Sequence, residues 1–291
     1  MHKFIKAIGF QFCTTEKEWN SILKDAEEYF TSYRDITLED GLELRELKKE
    51  FGDRIGIYSY HQIFDDDEQT REYYVPYFEG MGITSYADII VEKRSDRNAY
   101  LGICEDSKVG VSLIFHLQNA MDYLHELQLG DIPKSSTSVT LSGMALSGTV
   151  LFPVLKNQEQ IEEKNEESRN RMMLLSAARQ GDTKAMEGLT LDDIDIYSDV
   201  SKRIQQEDIY SIVDTYLMPY GVECDQYSIM GEIIDLDVVK NELTREDIYV
   251  MTLDVNELHF DVCVPVEGVT GQPEIGRRFK TNIWLQGHIN F

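Results

Sequence analysis

Four consecutive carboxylates, Asp65, Asp66, Asp67 and Glu68, form the densest cluster of chemistry-bearing side chains in the sequence. Hard cations such as Ca²⁺ and Mg²⁺ take convergent oxygen ligands, and such a run supplies several. The spacing misses the calcium-loop pattern, because Thr70 stands where the loop needs glycine and Pro76 where it needs glutamate. Adjacent side chains on an extended chain also point to opposite faces. The run reads as a solvated hairpin turn.

The six histidines are His2, His61, His116, His125, His259 and His288. None makes H-E-x-x-H or another short metal spacing. His61, His116 and His259 fall within strand-like segments and read as strand residues. Ser142-Gly143 and Ser147-Gly148 lie in a strand-like stretch, without the G-x-S-x-G turn into a helix that exposes a nucleophile. Gly80 and Gly82 give G-x-G with no third glycine, and Gly102 before Ser107-Lys108 lacks the second glycine of a phosphate loop. Arg277, Arg278 and Lys280 form the one basic cluster, beside Phe279 and Trp284. Cations with stacking aromatics can hold single-stranded nucleic acid, but an acidic neighbourhood reads instead as pairing with local carboxylates. Tyr58, Tyr60, Tyr73, Tyr74, Tyr77 and Tyr86 crowd one region. They read as cross-strand packing within a sheet, or as an interface. No catalytic, cofactor-binding or metal-ligating residue is assigned from the sequence.

The elements that must position these residues follow from periodicity. Trp19, Ile22, Leu23, Ala26 and Phe30 recur on one face of a 3.6-residue period, predicting a helix over 16–30. Thr15 with Glu18 fits a capping box at its start. A weaker helical stretch is expected over 38–51. Aromatic and β-branched runs predict strands over 54–64, 72–78, 86–93, 99–104 and 109–117. Their short polar connections favour antiparallel hairpins. A short helix is expected over 119–128, then strands over 137–142 and 145–152, with Gly143 and Gly148 as bulges. Residues 156–218 read as helical, with Ile209, Ile212, Val213, Tyr216 and Leu217 as the clearest face. Strands return over 227–239, 248–254, 257–264 and 279–289. Their order suits a small OB-like barrel, and a generic antiparallel sandwich fits almost as well.

Leu141, Leu146, Val150, Pro153 and Val154 share the spacing of Leu253, Leu258, Val262, Pro265 and Val266. This is either a duplicated β unit or the reuse of common core residues.

The chain carries 53 Asp+Glu against 28 Lys+Arg, −25 in all, over 291 residues. The excess is spread along the whole length, so it repels polyanions, and nucleic acid and anionic membrane are poor partners. Cys13, Cys104, Cys224 and Cys263 stand singly, unlike a disulfide framework. The first twelve residues lack a signal-peptide core, and no run of about 20 apolar residues spans a bilayer. A soluble cytoplasmic protein is expected.

The segments KVGVSLIFHLQN (108–119), YLMPYGVECDQYSIMGEI (216–233) and GRRFKTNIWLQG (276–287), with the opening FIKAIGF (4–10), resemble a family of uncharacterised proteins from clostridial-type anaerobic bacteria. The family is catalogued as a domain of unknown function. The resemblance covers nearly the whole chain, implies a bacterial cytosolic protein, and carries over no catalytic residues.

The sequence therefore predicts an α+β fold of antiparallel β-rich units. Residues 1–155 form a helix plus antiparallel sheet, 156–220 a helical segment, and 221–291 an OB-like or small barrel unit. The functional expectation is a non-catalytic protein-interaction or regulatory module that needs no cofactor. The alternative is a small-molecule binder or enzyme whose site is assembled from distant residues, such as Asp106 or Glu232.

Overall fold

The computed structural model describes residues 1–38, 41–64, 69–94, 99–106, 108–109, 111–130, 138–154, 181–189 and 209–291, with isolated positions between 166 and 178. The Asp65–Glu68 cluster and most of 156–208 lie outside the described residues. Within the stretch expected to be helical, 156–218, the described positions 166, 169–170, 173–174, 177–178 and 183–189 are helical, and Ile209–Ile212 forms a single turn.

A 3₁₀ segment, Lys3–Ile8, opens the chain, and helix α1 (Glu16–Glu28) follows. The expected capping box is present: the Glu18 amide donates to Thr15 Oγ1, and the Thr15 amide donates to Glu18 Oε2, both at 3.3 Å. Strands β1 (Ser32–Thr37), β2 (Glu43–Gly52), β3 (Ile55–Ile63) and β4 (Gln69–Phe78) form an antiparallel meander. The helix expected over 38–51 is thus strand β2. Its Leu, Glu, Lys and Arg residues favour a helix intrinsically, but cross-strand pairing with β1 and β3 decides the outcome.

The second sheet has ten strands. Strands β5 (Ile89–Lys93), β6 (Tyr100–Cys104) and β7 (Leu113–Leu117) precede helix α2 (Ala120–Leu129) and the long strand β8 (Ser138–Leu151). The two strands expected over 137–152 are therefore one. Its pairing with the last strand shifts between Gly148 and Ala145, so the irregularity flanks Gly148 and not Gly143. Strands β9 (Tyr216–Pro219), β10 (Gln226–Lys240), β11 (Asp247–Val255), β12 (Leu258–Pro265), β13 (Val269–Thr270) and β14 (Arg278–Asn290) complete it. The helical face expected at 209–217 ends early. Tyr216–Pro219 pairs with β10, and Pro219 falls at a strand end, where a missing N–H costs little.

Five strands close into a barrel, in the order β8-β12-β11-β10-β14 and back to β8. All pairings are antiparallel except β12 with β8. These neighbours and directions match an OB-type barrel whose fifth strand comes first in the chain, so the OB-like reading holds. The barrel takes one strand from before the helical segment and four from after it. Its interior is packed by Ile229, Leu253, Val262, Phe279, Ile283 and Leu285, all buried. Gly148 is required there, since a Cβ would lie 2.2 Å from the Phe279 ring. The proposed duplication fails: 141–150 is one strand, whereas 253–262 crosses the β11–β12 hairpin.

The meander stacks on the barrel, and the 3₁₀ segment is wedged between them. Phe4, Ile5, Ala7 and Ile8 are buried, and Phe4 stacks on Trp284 at 5.4 Å. The end of β4 is fixed by side-chain amides. Gln286 accepts from the Phe78 amide (3.2 Å) and donates to the Pro76 carbonyl (2.9 Å), while Gln118 and Ser142 donate to the Phe78 carbonyl (2.7 and 2.6 Å). Beside it, Arg54 from the β2–β3 turn meets Asp261 on β12 at 2.6 Å. Asp261 also accepts from the Met81 amide (3.0 Å) and from Thr252 (2.6 Å). Among the described residues, no helix is long and apolar enough to cross a membrane.

Removing one partner of such a pair strands a charge and its hydrogen bonds. Asp261→Ala is expected to lower unfolding free energy by about 3–5 kcal/mol in urea titrations. A loss below about 1 kcal/mol would show that the pair does not hold the two sheets together.

Candidate functional site

The chain leaves β4 at Phe78 and crosses the barrel rim through residues 79–88 before entering β5. A bridge between Ser85 and Val139 of β8 fixes this crossing. The Glu105–Val109 turn after β6 and the β11–β12 turn approach it. In the latter, Asn256 and Glu257 hold left-handed conformations, with φ of 53° and 64°. Together they enclose a cleft of about 420 Å³ lined by Ile83, Thr84, Ser85, Tyr86, Ala87, Glu105, Asp106, Lys108, Glu257 and His259.

The floor of the cleft is tied together. The buried Ser85 hydroxyl donates to Asp106 Oδ2 at 2.5 Å and accepts from the Ala87 amide at 3.1 Å. The Lys108 amide donates to Asp106 Oδ1 at 2.9 Å, and the Lys108 ammonium donates to the Glu257 carbonyl at 3.0 Å. The rim is open, with Tyr86 78 % and Ile83 47 % exposed. The Ser85 hydroxyl donates directly to a carboxylate, with no imidazole between them, and the bond fixes its orientation. Cys104 donates to the same oxygen at 3.7 Å, and burial pushes its thiol pKa up, away from a reactive thiolate. The lining thus carries three carboxylates, Glu105, Asp106 and Glu257, against the Lys108 ammonium.

A second cluster lies on the tyrosine face of the meander. Register places Arg34, Glu46, Tyr60 and Tyr73 in one row across β1 to β4. Lys48, Tyr58 and Val75 form the next row, and Tyr77 lies opposite Gly56. Tyr60 stacks on Tyr73 at 4.6 Å, and Tyr58 meets Tyr77 at 4.5 Å. Lys48 reaches Glu79 at 2.9 Å and Glu50 at 3.2 Å, with its ammonium 5.1 Å from the Tyr77 ring centre. Burial alone would lower the Lys48 pKa, but the two glutamates outweigh it and raise it. Glu46 is 6 % exposed, and its Oε2 has no hydrogen-bond partner. Burial pushes its carboxyl up to about 7, opposed by a hydrogen bond from Tyr60 and by the charges of Arg34 and Lys48.

Of the acids singled out in the sequence, Asp106 lies in the cleft, whereas Glu232 is exposed on β10, away from it. Five of the six crowded tyrosines pack within the protein. Tyr86 alone faces out. His259 lines the cleft, His61 is buried beside Ser59, and His116 packs near Trp284. Among the described residues no group of His, Cys, Asp and Glu is placed to hold a metal. All four cysteines are free. The basic cluster does not form a patch. Arg277 pairs with Glu274 at 2.9 Å. Arg278 is buried and donates to the carbonyls of Phe152, Val213 and Tyr210, and Lys280 bonds the Tyr210 hydroxyl. Arg277 is thus paired with a local carboxylate as expected, and Arg278 has Asp214 acting on it from nearby. Gly80 packs against β8, where a Cβ would lie 2.5 Å from the Leu141 carbonyl, so the G-x-G is a close approach and not a phosphate loop. Glu46 escapes sequence reading because it stands among Lys, Arg and Glu, and only register reveals its tyrosine neighbours.

The fold and the cleft define an α+β protein built on a closed five-stranded barrel joined to an antiparallel meander. The chain belongs to the family described as "Domain of unknown function, E. rectale Gene description (DUF3881)", whose model matches residues 5–287. That agrees with the clostridial-type family its sequence resembles. No curated protein matches the chain, and no solved structure does.

Glu46 carries a pH signature. Its pKa is raised from 4.5 to about 7 in the folded state, so the fold binds more protons than the unfolded chain between those values. Its proton stabilises fully below about pH 4.5, and that contribution is lost as pH rises through about 7. The lost stability is up to about 3 kcal/mol. Urea unfolding of wild type and Glu46→Gln from pH 4.5 to 8.5 should show a falling difference that levels off above 7. A difference that stays constant with pH would mean that Glu46 does not titrate in this range.

Proposed function

We propose that this protein is a non-catalytic interaction module that takes a basic side chain of a partner protein into the Ser85–Asp106 cleft. The observation that carries the reading is an oriented carboxylate at the floor of an open, acidic cleft with an exposed aromatic at its rim. Ser85 and the Lys108 amide hold the Asp106 carboxylate in one orientation. Glu105 and Glu257 add negative charge, and Tyr86 offers a ring face to a guanidinium or ammonium. Exposed Ile83 and Tyr86 supply apolar contact for the residues flanking that side chain. A basic partner also suits an acidic chain of net charge −25, which repels nucleic acid. The cytoplasm is the proposed compartment, since its reducing conditions preserve four free thiols.

Titration of the isotope-labelled protein with the capped tripeptide acetyl-Gly-Arg-Gly-amide tests the reading by NMR. Shifts are expected at residues 83–87, 105–109 and 256–259, with weak binding, a dissociation constant on the order of ten millimolar or above, since an exposed ion pair and one cation–π contact add only about 1 kcal/mol each. Asp106→Asn should abolish them, while Glu232→Gln should leave them intact. Shifts spread evenly over the acidic surface, or a response to a simple amine equal to that for the peptide, would overturn it.

A further inference from the structure

Arg34 stands between two carboxylates on two different elements. On β1 it lies directly across from Glu46 of β2, and its guanidinium is engaged with Asp122 of α2. Directly opposed residues have Cβ atoms about 4.5–5.5 Å apart, so a rotation of this long side chain reaches Glu46. Its side chain is 55 % exposed, and that of Asp122 is 35 % exposed. Either group can therefore return to water at small cost. Glu46 cannot, because it is buried with one oxygen unpartnered. Lys48, the other cation within reach, is committed to Glu79 and Glu50.

We propose that Arg34 is a two-position latch, bound to Asp122 of α2 while Glu46 is protonated and drawn onto Glu46 when that proton leaves. A buried carboxylate without a partner is costly, and pairing with a cation offsets that cost. Asp122 then loses its partner, and among the described residues α2 keeps the bond from Gln128 to the Thr37 carbonyl (2.6 Å) as its side-chain hydrogen bond to β1. The same helix forms one wall of an apolar groove of about 420 Å³ that Leu38, Val91, Tyr100 and Leu124 help to line. Latching thus controls how firmly this groove is closed.

The groups facing Glu46 leave it as the one that changes near neutrality. Arg34 on β1 and Lys48 on β2 are cations, and the Lys48 pKa is raised. Burial pushes Tyr58 and Tyr60 on β3 and Tyr77 on β4 upward, so they stay neutral. Tyr73 on β4 is a further phenol. Burial pushes the pKa of His288 on β14 downward from its ordinary value. Glu50 on β2, Glu79 beyond β4 and Asp122 on α2 are the remaining acids.

Hydrogen exchange of residues 120–129, corrected for the intrinsic rate at each pH, reads the latch. Protection in wild type should fall roughly two- to fivefold from pH 6 to 8, the range an exposed ion pair commands. Asp122→Asn should show the lower protection at both pH values, and Glu46→Gln the higher one. In unmutated protein, the Glu46 carboxyl carbon and the Arg34 Nε resonance should titrate with one midpoint. This readout needs no variant to fold and is not expected from a merely structural Glu46. Equal protection at the two pH values, a Glu46→Gln protein that keeps the full change, or an Arg34 resonance that ignores the Glu46 midpoint would overturn the proposal.

Discussion

The meander and the barrel meet where β4 ends, and burying that end is the constraint on which the rest of the molecule depends. Residues 76–78 must leave one sheet while covered by another, so their peptide groups face no water. Buried backbone groups left unpaired cost about as much as lost hydrogen bonds. Gln286 on β14, Gln118 before α2 and Ser142 on β8 meet that demand from three separate segments. The Arg54–Asp261 pair closes the same junction from the opposite turn. Because the partners come from three segments, the junction forms only when barrel, α2 and meander are all in place. The 79–88 crossing starts from this anchored point, so the position of Ser85 over the barrel rim follows from it.

The barrel shows a related economy. Its first strand in sequence, β8, closes against the last, β14, and runs parallel to β12. The long connection from Leu151 to Tyr216 therefore leaves and rejoins at one side of the barrel. Arg278 gathers the two ends of that connection through the carbonyls of Phe152, Tyr210 and Val213. Carbonyl dipoles solvate the guanidinium, and burial lowers its pKa against the opposing charge of Asp214. A basic cluster in the sequence thus becomes an internal fastener.

Most strands were legible because their period is local. The runs at 227–239, 248–254, 257–264 and 279–289 correspond to β10, β11, β12 and β14 within a few residues. The Thr15–Glu18 cap was equally local. Strand β2 was not, since its Leu and Lys/Glu pattern satisfies a helix until β1 and β3 are placed beside it. The β1 strand was hidden for a similar reason: Ser32–Asp35 are exposed at an edge, with no alternation to read. Asp106 could be suspected as an acid in a polar turn, but its cleft depends on Glu257 and His259, about 150 residues away. Glu46 was illegible because burial of a charged type is a property of register and packing, not of composition.

The strong acidity of the chain gives its few cations unusual leverage. A surface with nearly twice as many carboxylates as cations repels itself, and each buried cation must choose among several acids. Arg54 is committed to a carboxylate held by two other donors, so its position is fixed. Lys48 bridges two glutamates and is likewise held. Arg34 has one carboxylate near water and another in the core, and no further ion pair holds it among the described residues. That asymmetry follows from where the sheet places Glu46: one residue along β2, at Leu47, the side chain would face the other way. The same logic bears on the cleft. There Lys108 directs its ammonium to the Glu257 backbone carbonyl, and Asp106 is held by the Ser85 hydroxyl and the Lys108 amide.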